Sequence, residues 1–187
     1  MRRTALTLLL LLAMTRPAVA QPTGLPVDSL AVGDPAPAFV MKKVNTTDYV
    51  FLSDYAGMLR ESALRDDRSP QVVVLSFFAT WCKPCAEEMP QLLAVAREFA
   101  DRGVVAFLVN VSEQDSPVAA WLEQHPEISG TVLMDPFATF AIKYGVDSLP
   151  RTIIIDRAGV IRFIERGFQT EGYQTNVRAA LSAVLGG

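Results

Sequence analysis

Apolar residues follow two different spacings along the middle of the chain, and these predict strands and a helix. Residues 72–79 and 104–111 are nearly unbroken apolar runs, the pattern of strands that are buried on both faces of a sheet. Between them, residues 83–102 carry apolar side chains at helical spacing, and Gly103 supplies a stop. Pro90 lies inside this predicted helix and is expected to kink it, because proline donates no backbone hydrogen bond.

Shorter segments complete the pattern on both sides. Residues 39–44 and 49–52 are predicted to pair as an N-terminal β-hairpin, and the charged residues 58–70 to form a surface insertion with room for one helix turn. Towards the end of the chain the pattern predicts a helix, a strand, a helix, two strands and a closing helix, in this order: 116–125, 131–134, 137–144, 152–156, 160–166 and 173–185. Strands that alternate with helices predict an α/β sandwich, in which helices flank a central mixed sheet.

The first twenty residues have the features of an export signal. Arg2 and Arg3 form a charged start, residues 5–13 are apolar, and residues 18–20 provide a small-residue cleavage site. The apolar stretch is shorter than the roughly 20 residues that a membrane helix needs. We therefore predict a signal peptide of residues 1–20, a single soluble domain of residues 21–187, and a periplasmic or otherwise extracytoplasmic location. An uncleaved membrane anchor is the alternative.

The charge balance argues against nucleic acid as a partner. The chain has 17 Lys and Arg against 20 Asp and Glu, a formal net charge of −3. The predicted signal contains three arginines and no acid, so the exported part is more acidic still. Phosphate binding needs a basic surface, which this balance does not suggest. We expect a monomer whose partners are proteins.

Cysteine usage is the most informative count, because the chain has only Cys82 and Cys85. Exported proteins usually use cysteine for bridges between distant segments. A bridge across two residues closes too small a loop to stabilise much, so the pair needs a chemical explanation. Half of a zinc site is the alternative, but four-coordinate zinc needs further Cys or His ligands and the only histidine is His125.

The two cysteines lie where a buried strand meets a helix. The first turn of a helix offers unpaired amide groups and about half a positive charge, which favour a thiolate. We therefore expect an exposed Cys82 with a lowered pKa that attacks a disulfide, and thiolate is the attacking species. Cys85, one turn further on, is positioned to attack the resulting mixed disulfide and release a reduced substrate.

Three segments resemble one known family. Residues 77–85 (FFATWCKPC), followed by EEMP at 87–90, closely resemble the active-site segment of the TlpA/ResA-like branch of the thioredoxin superfamily. Residues 32–39 resemble that branch's opening, and Leu149-Pro150 with the strand after it resembles its proline loop. The similarity covers most of the chain after the signal.

The resemblance implies a fold and an activity. The fold is a thioredoxin-like sandwich with an N-terminal β-hairpin and an inserted strand and helix segment. The activity is reduction of protein disulfides outside the cytoplasm, often for cytochrome c maturation or metal-site assembly. A membrane thiol electron donor would recharge the protein. The redox-active cysteine pair would serve without any cofactor or bound metal.

The resemblance also implies roles for individual residues. Cys82 matches the attacking thiol, Cys85 the resolving thiol, and Trp81 the ring beside the site. Pro150 matches a cis-proline that faces the disulfide. Glu88 matches a glutamate that tunes the cysteines.

Neighbouring residues are assigned with less support from the family. Lys83, Pro84 and Leu149 are predicted to contact substrate, and a cation at Lys83 would also favour thiolate. Ser76 stands where cytoplasmic thioredoxins have a buried acid, which makes Glu88 the candidate for proton transfer to Cys85.

Simpler interpretations exist for several of these residues. Trp81 could pack in the core, Pro150 could simply open a strand, and Lys83 could be a solvated side chain. Glu87 is interpreted as favourable placement of an acid early in a helix. The second functional hypothesis is a copper or haem chaperone that uses the dithiol and His125 as ligands, although His125 by itself is interpreted as structural. The context of Cys82 does not match thiol peroxidases.

Overall fold

The computed structural model describes residues 30–65 and 69–186, so the predicted signal peptide lies outside the described residues. Seven strands are present in this part of the chain: β1 Val40–Lys43, β2 Tyr49–Phe51, β3 Val72–Phe78, β4 Val104–Val111, β5 Thr131–Asp135, β6 Arg151–Ile155 and β7 Ile161–Arg166. They form one open sheet in the order β2-β1-β5-β4-β3-β6-β7. β3, β4 and β5 are parallel, and the other pairings are antiparallel. The mixed central sheet and the N-terminal hairpin of the prediction are confirmed.

Five helices accompany the sheet in the described residues: α1 Glu61–Arg65, α2 Lys83–Glu98, α3 Asp115–Glu123, α4 Thr139–Lys143 and α5 Tyr173–Gly186. Successive residues of β3 point to opposite faces, as the two-residue period of a strand requires. Val74 lies in one core cluster with Met89 of α2 and Leu181 of α5. The next residue, Leu75, lies in the other cluster with Tyr144, which follows α4. The sheet is therefore a middle layer between two apolar cores, the sandwich that the sequence predicts.

Helix ends are where the structure departs from the sequence prediction. The helix predicted to reach residue 102 ends at Glu98, and a separate 3-10 turn covers Ala100–Arg102. Gly103 then takes a left-handed φ of 80°, a conformation that glycine adopts without steric cost. α2 continues through Pro90 as one helix. α2 therefore ends four residues before the predicted end, because the chain changes to the more tightly wound 3-10 conformation.

The surface insertion packs against the hairpin. α1 occupies part of residues 58–70, and Ala63 within it is 1% exposed. Arg60 pairs with Asp54, and its guanidinium carbon lies 3.8 Å from the ring centroid of Phe51. One helix turn in this segment agrees with the prediction.

Residues before the hairpin pair with the outer strand of the sheet. Pro35 forms an isolated antiparallel bridge with Val160, just before β7. The Gly33 N–H donates to the Ile161 carbonyl at 2.8 Å, and the Ile161 N–H donates to the Asp34 carbonyl at 2.9 Å. The lead-in therefore covers the start of an edge strand, which would otherwise expose unpaired backbone groups.

The topology brings several loops to one end of the sheet. Parallel β3, β4 and β5 all finish at this end, and antiparallel β6 begins there, where Arg151 pairs with Phe77. The segments that follow β3, β4 and β5 and the segment that precedes β6 are therefore neighbours. Across residues 30–65 and 69–186, no helix combines the length and apolar character needed to cross a membrane.

Candidate active site

The two cysteines form a disulfide at the start of α2. Cys82 is the N-cap residue of the helix, and its Cα lies 5.3 Å from the Cα of Cys85. The Cys82 carbonyl accepts from the N–H of Cys85 at 3.1 Å and from the N–H of Ala86 at 3.3 Å. The strand that delivers Cys82 is β3, and Pro84 occupies the first helical turn, where its missing N–H costs nothing. Cys82 therefore lies at the N-cap of α2, and Cys85 lies within its first turn.

The structure corrects the expectation of an exposed Cys82. Cys82 is only 5% exposed, because it packs in the same apolar cluster as Ala79 and Met89. It is still the outer member of the pair, since Cys85 is 0% exposed. In this oxidised form Cys82 is therefore the member of the pair that lies nearer to the surface.

Trp81 and the two residues between the cysteines form the outer surface of the site. Trp81 is 74% exposed, so the alternative that it packs in the core is excluded. Lys83 and Pro84 are exposed as well. An accessible aromatic ring therefore lies directly before the cap of α2.

The proline loop lies beside the end of β3. The Leu149–Pro150 peptide bond is cis, as the resemblance implies. Because Arg151 pairs with Phe77, Pro150 lies level with the residue that ends β3, four positions before Cys82. Leu149 is partly buried and packs against both core clusters, and the Gly167 N–H donates to the Pro150 carbonyl at 2.9 Å.

Glu88 lies one helical turn after Cys85, and both residues are 0% exposed. Three hydroxyl groups from three other elements donate to its carboxylate. Tyr173 of α5 and Thr152 of β6 both donate to Oε1, and Ser76 of β3 donates to Oε2 at 3.3 Å. A buried carboxylate with hydroxyl donors therefore lies directly behind the inner cysteine.

The electrostatics of this carboxylate favour its protonated form. Burial raises the pKa of Glu88 above its ordinary value, and the negative charge of Glu165 on β7 acts in the same direction. The hydrogen bonds from Thr152, Tyr173 and Ser76 lower this pKa without cancelling the effect of burial. Glu88 can therefore hold a proton at a pH where exposed glutamates are ionised.

Sequence reasoning missed Thr152 and Tyr173 as partners of Glu88. They lie 64 and 85 residues away along the chain. The sequence predicts a strand at Thr152 and a helix at Tyr173, and the apolar spacing of each shows that it has a buried face. That spacing does not show which residue of another element the buried face contacts.

A third missed residue is Arg151, directly after the cis-proline. Its side chain is 1% exposed, and it donates to the Gly145 carbonyl at 3.2 Å and to the carboxylate of Asp147. Its Nε has no hydrogen-bond partner among the described residues. These contacts join both ends of the loop that carries Leu149 and Pro150.

Glu113, in the loop after β4, is a fourth missed residue. Its Oε2 accepts from the backbone N–H of Thr80 and from the side-chain amide of Asn110, both at 2.7 Å. Its Oε1 accepts from the Thr80 hydroxyl at 2.5 Å. Thr80 lies two residues before Cys82, so Glu113 anchors the segment that connects β3 to Cys82. Its position after a parallel neighbour of β3 was the available signal.

Among the described residues, no hydrogen bond or ring contact joins His125 to the cysteines. His125 follows α3, and its ring stacks on Trp121 with centroids 3.9 Å apart. Its Nδ1 lies 2.8 Å from the Trp121 carbonyl oxygen. Within the described residues, no three side chains of His, Cys, Asp or Glu gather at a possible metal site. The hypothesis of a metal chaperone is not favoured by this placement.

Comparison with known proteins agrees with the geometry. The family model described as Redoxin matches residues 31–181. The thiol-disulfide oxidoreductase ResA of Geobacillus thermodenitrificans is 34% identical over 143 residues, which are 76% of this chain and 74% of that protein. The thioredoxin-like protein YneN of Bacillus subtilis is 35% identical over 113 residues, 59% of this chain and 65% of that protein.

A solved structure shows the same fold. The protein assigned as thiol:disulfide interchange protein DsbE from Chlorobium tepidum superposes with a TM-score of 0.71 at 29% identity, covering 84% of this chain and 99% of that chain. The fold, the cysteine pair at the cap of α2 and the matched length all point the same way. The chain belongs to the Redoxin family, in the ResA-like branch of the thioredoxin superfamily, and is a thiol-disulfide oxidoreductase.

Proposed function

We propose that the protein reduces disulfides of client proteins outside the cytoplasm. The observation that carries this proposal is the inequality of the two sulfurs. Cys82 caps α2 and keeps 5% of its surface exposed, whereas Cys85 is fully buried beside Glu88. The Cys82 sulfur is therefore the one that meets a client, and the Cys85 sulfur has a proton acceptor, Glu88, beside it inside the protein.

The first step joins protein and client. In the dithiol form, the Cys82 thiolate attacks one sulfur of a client disulfide, so that the bond between the two client sulfurs breaks and a mixed disulfide forms. The released client sulfur leaves as a thiolate and takes a proton from solvent. The helix start favours the attacking thiolate, since its amides and dipole stabilise negative charge.

The second step releases the client. The Cys85 thiol gives its proton to the Glu88 carboxylate, and the Cys85 thiolate attacks the sulfur of Cys82. The Cys82–Cys85 bond forms, and the bond to the client breaks, so that the second client sulfur leaves as a thiolate and takes a proton from solvent. Glu88 later releases to solvent the proton that it accepted from Cys85. The client has then gained two electrons and two protons, and the protein is left as the disulfide seen here.

Residues around the outer sulfur form the proposed client surface. Trp81, Lys83 and Pro84 are exposed on the helix side, and Leu149 with Pro150 lies at the end of the neighbouring β6. A polypeptide lying between these two groups would bring its cysteine to Cys82.

The sequence and the relatives support the following proposal for the cellular setting. Residues 1–20 serve as the export signal, and a membrane thiol electron donor returns the disulfide to the dithiol. The protein works as a monomer and uses no cofactor beyond the cysteine pair. Clients are proteins such as those of cytochrome c maturation or metal-site assembly.

A trap for the mixed disulfide tests the roles of the two sulfurs. Cys85→Ser removes the resolving thiol, so client adducts should accumulate through Cys82 when this variant is expressed in the native compartment. Mass spectrometry of the adducts identifies the clients. The matched control is Cys82→Ser, which keeps Cys85 but should give no adducts.

Two outcomes would contradict the proposal. Adducts that persist in Cys82→Ser would reverse the roles of the sulfurs. Whether the protein reduces or oxidises its clients is tested on the wild type, by trapping its thiols with an alkylating reagent in intact cells. A reductase should be found mainly as the dithiol, and a protein found mainly as the disulfide would be an oxidase.

A further inference from the structure

We propose that Tyr173 is a positioning residue that holds Oε1 of Glu88, so that Oε2 is the oxygen that takes the proton from Cys85. The inference rests on the proposed function, in which Glu88 accepts this proton. It adds a residue from the last helix of the chain to a site otherwise built from β3, α2 and β6.

The hydrogen bonds of the carboxylate are unequal. Oε1 accepts from the Tyr173 phenol and from the Thr152 hydroxyl. Oε2 accepts only from Ser76, at 3.3 Å, among the described residues. A carboxylate oxygen offers two acceptor sites, so Oε1 is filled while Oε2 keeps one. The proton therefore has one place to go.

Tyr173 is fixed in this position by its surroundings. It is the first residue of α5 and is 2% exposed. Its ring meets that of Phe168 edge to face, with centroids 5.1 Å apart, and its hydroxyl lies 3.0 Å from the Thr152 hydroxyl. The phenol is thus held by packing as well as by the hydrogen bond it donates.

The chemistry of a phenol suits this task. Burial raises the pKa of Tyr173, and the neighbouring Glu88 raises it further, so the phenol keeps its proton and remains a donor. The groups that face Glu88 are the hydroxyls of β3, β6 and α5 and, at longer range, the carboxylate of Glu165 on β7. Among these, the phenol and the two hydroxyls favour ionised Glu88 and Glu165 opposes it.

Removing the phenol should therefore leave Glu88 less often in the ionised form that can accept a proton. In Tyr173→Phe the ring stays but the donor is lost, so ionised Glu88 is less stable and a higher pH is needed to prepare it. We expect the pH midpoint of the resolving step to rise by about one pH unit, which makes the step about tenfold slower below the midpoint.

The resolving step can be followed with a coloured model disulfide. Reduced protein mixed with 5,5′-dithiobis(2-nitrobenzoate) releases one thionitrobenzoate when Cys82 attacks and a second when Cys85 resolves. Stopped-flow absorbance separates the two releases over a series of pH values. Tyr173→Phe should shift the profile of the second release and leave that of the first unchanged.

The chain provides a matched control in Tyr144→Phe. Tyr144 is 1% exposed, and its hydroxyl donates to the Pro37 carbonyl at 2.6 Å in the other core cluster. The same atom is lost from an equally buried site, so a merely structural effect should appear in both variants. Only Tyr173→Phe should move the midpoint. Thr152→Val, which removes the other Oε1 donor, should move it in the same direction.

Failure of this inference and failure of the proposed function give different results. If Glu88→Gln abolishes the midpoint while Tyr173→Phe behaves like Tyr144→Phe, Glu88 keeps its role and the positioning role of Tyr173 is refuted. If Glu88→Gln leaves the midpoint in place, Glu88 does not accept the Cys85 proton. Both the proposed resolving step and the positioning role of Tyr173 are then refuted.

A second variant covers the case that Tyr173→Phe does not fold. Site-specific 3-fluorotyrosine at 173 keeps the shape of the side chain and makes the phenol a stronger donor. The midpoint should then move down instead of up. A midpoint that stays in place or rises would overturn the inference.

Discussion

Two ionisable side chains, an acid and a base, are buried on opposite faces of the sheet at the disulfide end. Glu88 reaches Thr152 of β6 from the α2 side and is 0% exposed. Arg151, the preceding residue of β6, is 1% exposed on the other side. Within the described residues, the carboxylate has three hydroxyl donors and no counter-ion among its hydrogen bonds. The guanidinium has the carboxylate of Asp147.

The difference in partners separates their chemistry. Neutral donors stabilise a charge less than a counter-ion does, so burial leaves Glu88 with a raised pKa and an exchangeable proton. Burial also lowers the pKa of Arg151, while Asp147 raises it, but a guanidinium stays protonated in either case. Glu88 on one face of the sheet can therefore exchange a proton, whereas Arg151 on the other face keeps its charge and holds the proline loop.

The largest expected effect comes from removing the exchangeable proton. Glu88→Gln should slow the resolving step by about a hundredfold, the low end for loss of a general acid or base. Stopped-flow release of the second thionitrobenzoate measures this rate, and an unchanged rate would reduce Glu88 to a packing residue.

The same variant should change how stability depends on pH. Folded Glu88 has a raised pKa, so between its unfolded and folded pKa values the native state binds more protons than the unfolded state. Its contribution is full below the unfolded pKa and is lost as pH rises through the folded pKa. Urea unfolding at a series of pH values should show this loss in the wild type and not in Glu88→Gln. Parallel curves would mean that the pKa is not raised.

The next effect tests which half of the Arg151 pair matters for stability. Asp147→Ala leaves a guanidinium buried without its counter-ion, whereas Arg151→Met leaves only the exposed Asp147. We expect Asp147→Ala to lower the melting temperature by several degrees. Arg151→Met should change the free energy of unfolding by about 1 kcal/mol or less. The reverse order would show that Arg151 does not carry a buried charge.

Arg151→Met should still affect function, because Arg151 joins both ends of the proline loop. We expect KM for a client disulfide to rise several-fold with the pH midpoint of the resolving step unchanged. Steady-state kinetics on a disulfide-containing peptide give KM. A shifted midpoint with constant KM would place Arg151 in the proton pathway and erase the contrast with Glu88.

The most local effect concerns Glu113, a carboxylate that also holds a loop. Glu113→Ala removes the acceptor of the Thr80 N–H, so the exchange of this amide with solvent should become about tenfold faster. Amide hydrogen exchange by NMR measures it, with the Phe78 amide in β3 as the internal reference. Equal acceleration at both amides would indicate general unfolding instead of local release.

Much of the fold could be predicted because each element carries its own pattern. The buried runs of β3 and β4, the hairpin and the cysteine pair are all properties of short segments. Helix ends were less predictable, since the apolar spacing continues through Phe99 and Ala100 although α2 ends at Glu98 and a 3-10 turn follows. The burial of Cys82 was also missed, because the pattern places this residue at a strand-to-helix turn but does not show how closely the core cluster packs around it.

The candidate site was predictable only along α2. Cys85 and Glu88 share a helical face, and their spacing alone shows it. Thr152 and Tyr173 join them through tertiary packing, which no local spacing encodes. Arg151 was overlooked because an arginine beside a predicted strand is usually solvated, and its burial depends on a loop that turns back to it.

The pairing of residues 33–36 with the start of β7 fixes where the chain joins the domain. β6 begins at the disulfide end, so the turn between β6 and β7, and with it the bridge from Pro35 to Val160, lies at the opposite end of the sheet. A protein attached to a surface through the residues that precede Gly33 would thus hold its reactive sulfur pointing outward. Attachment at this terminus should leave the approach of large substrates unobstructed.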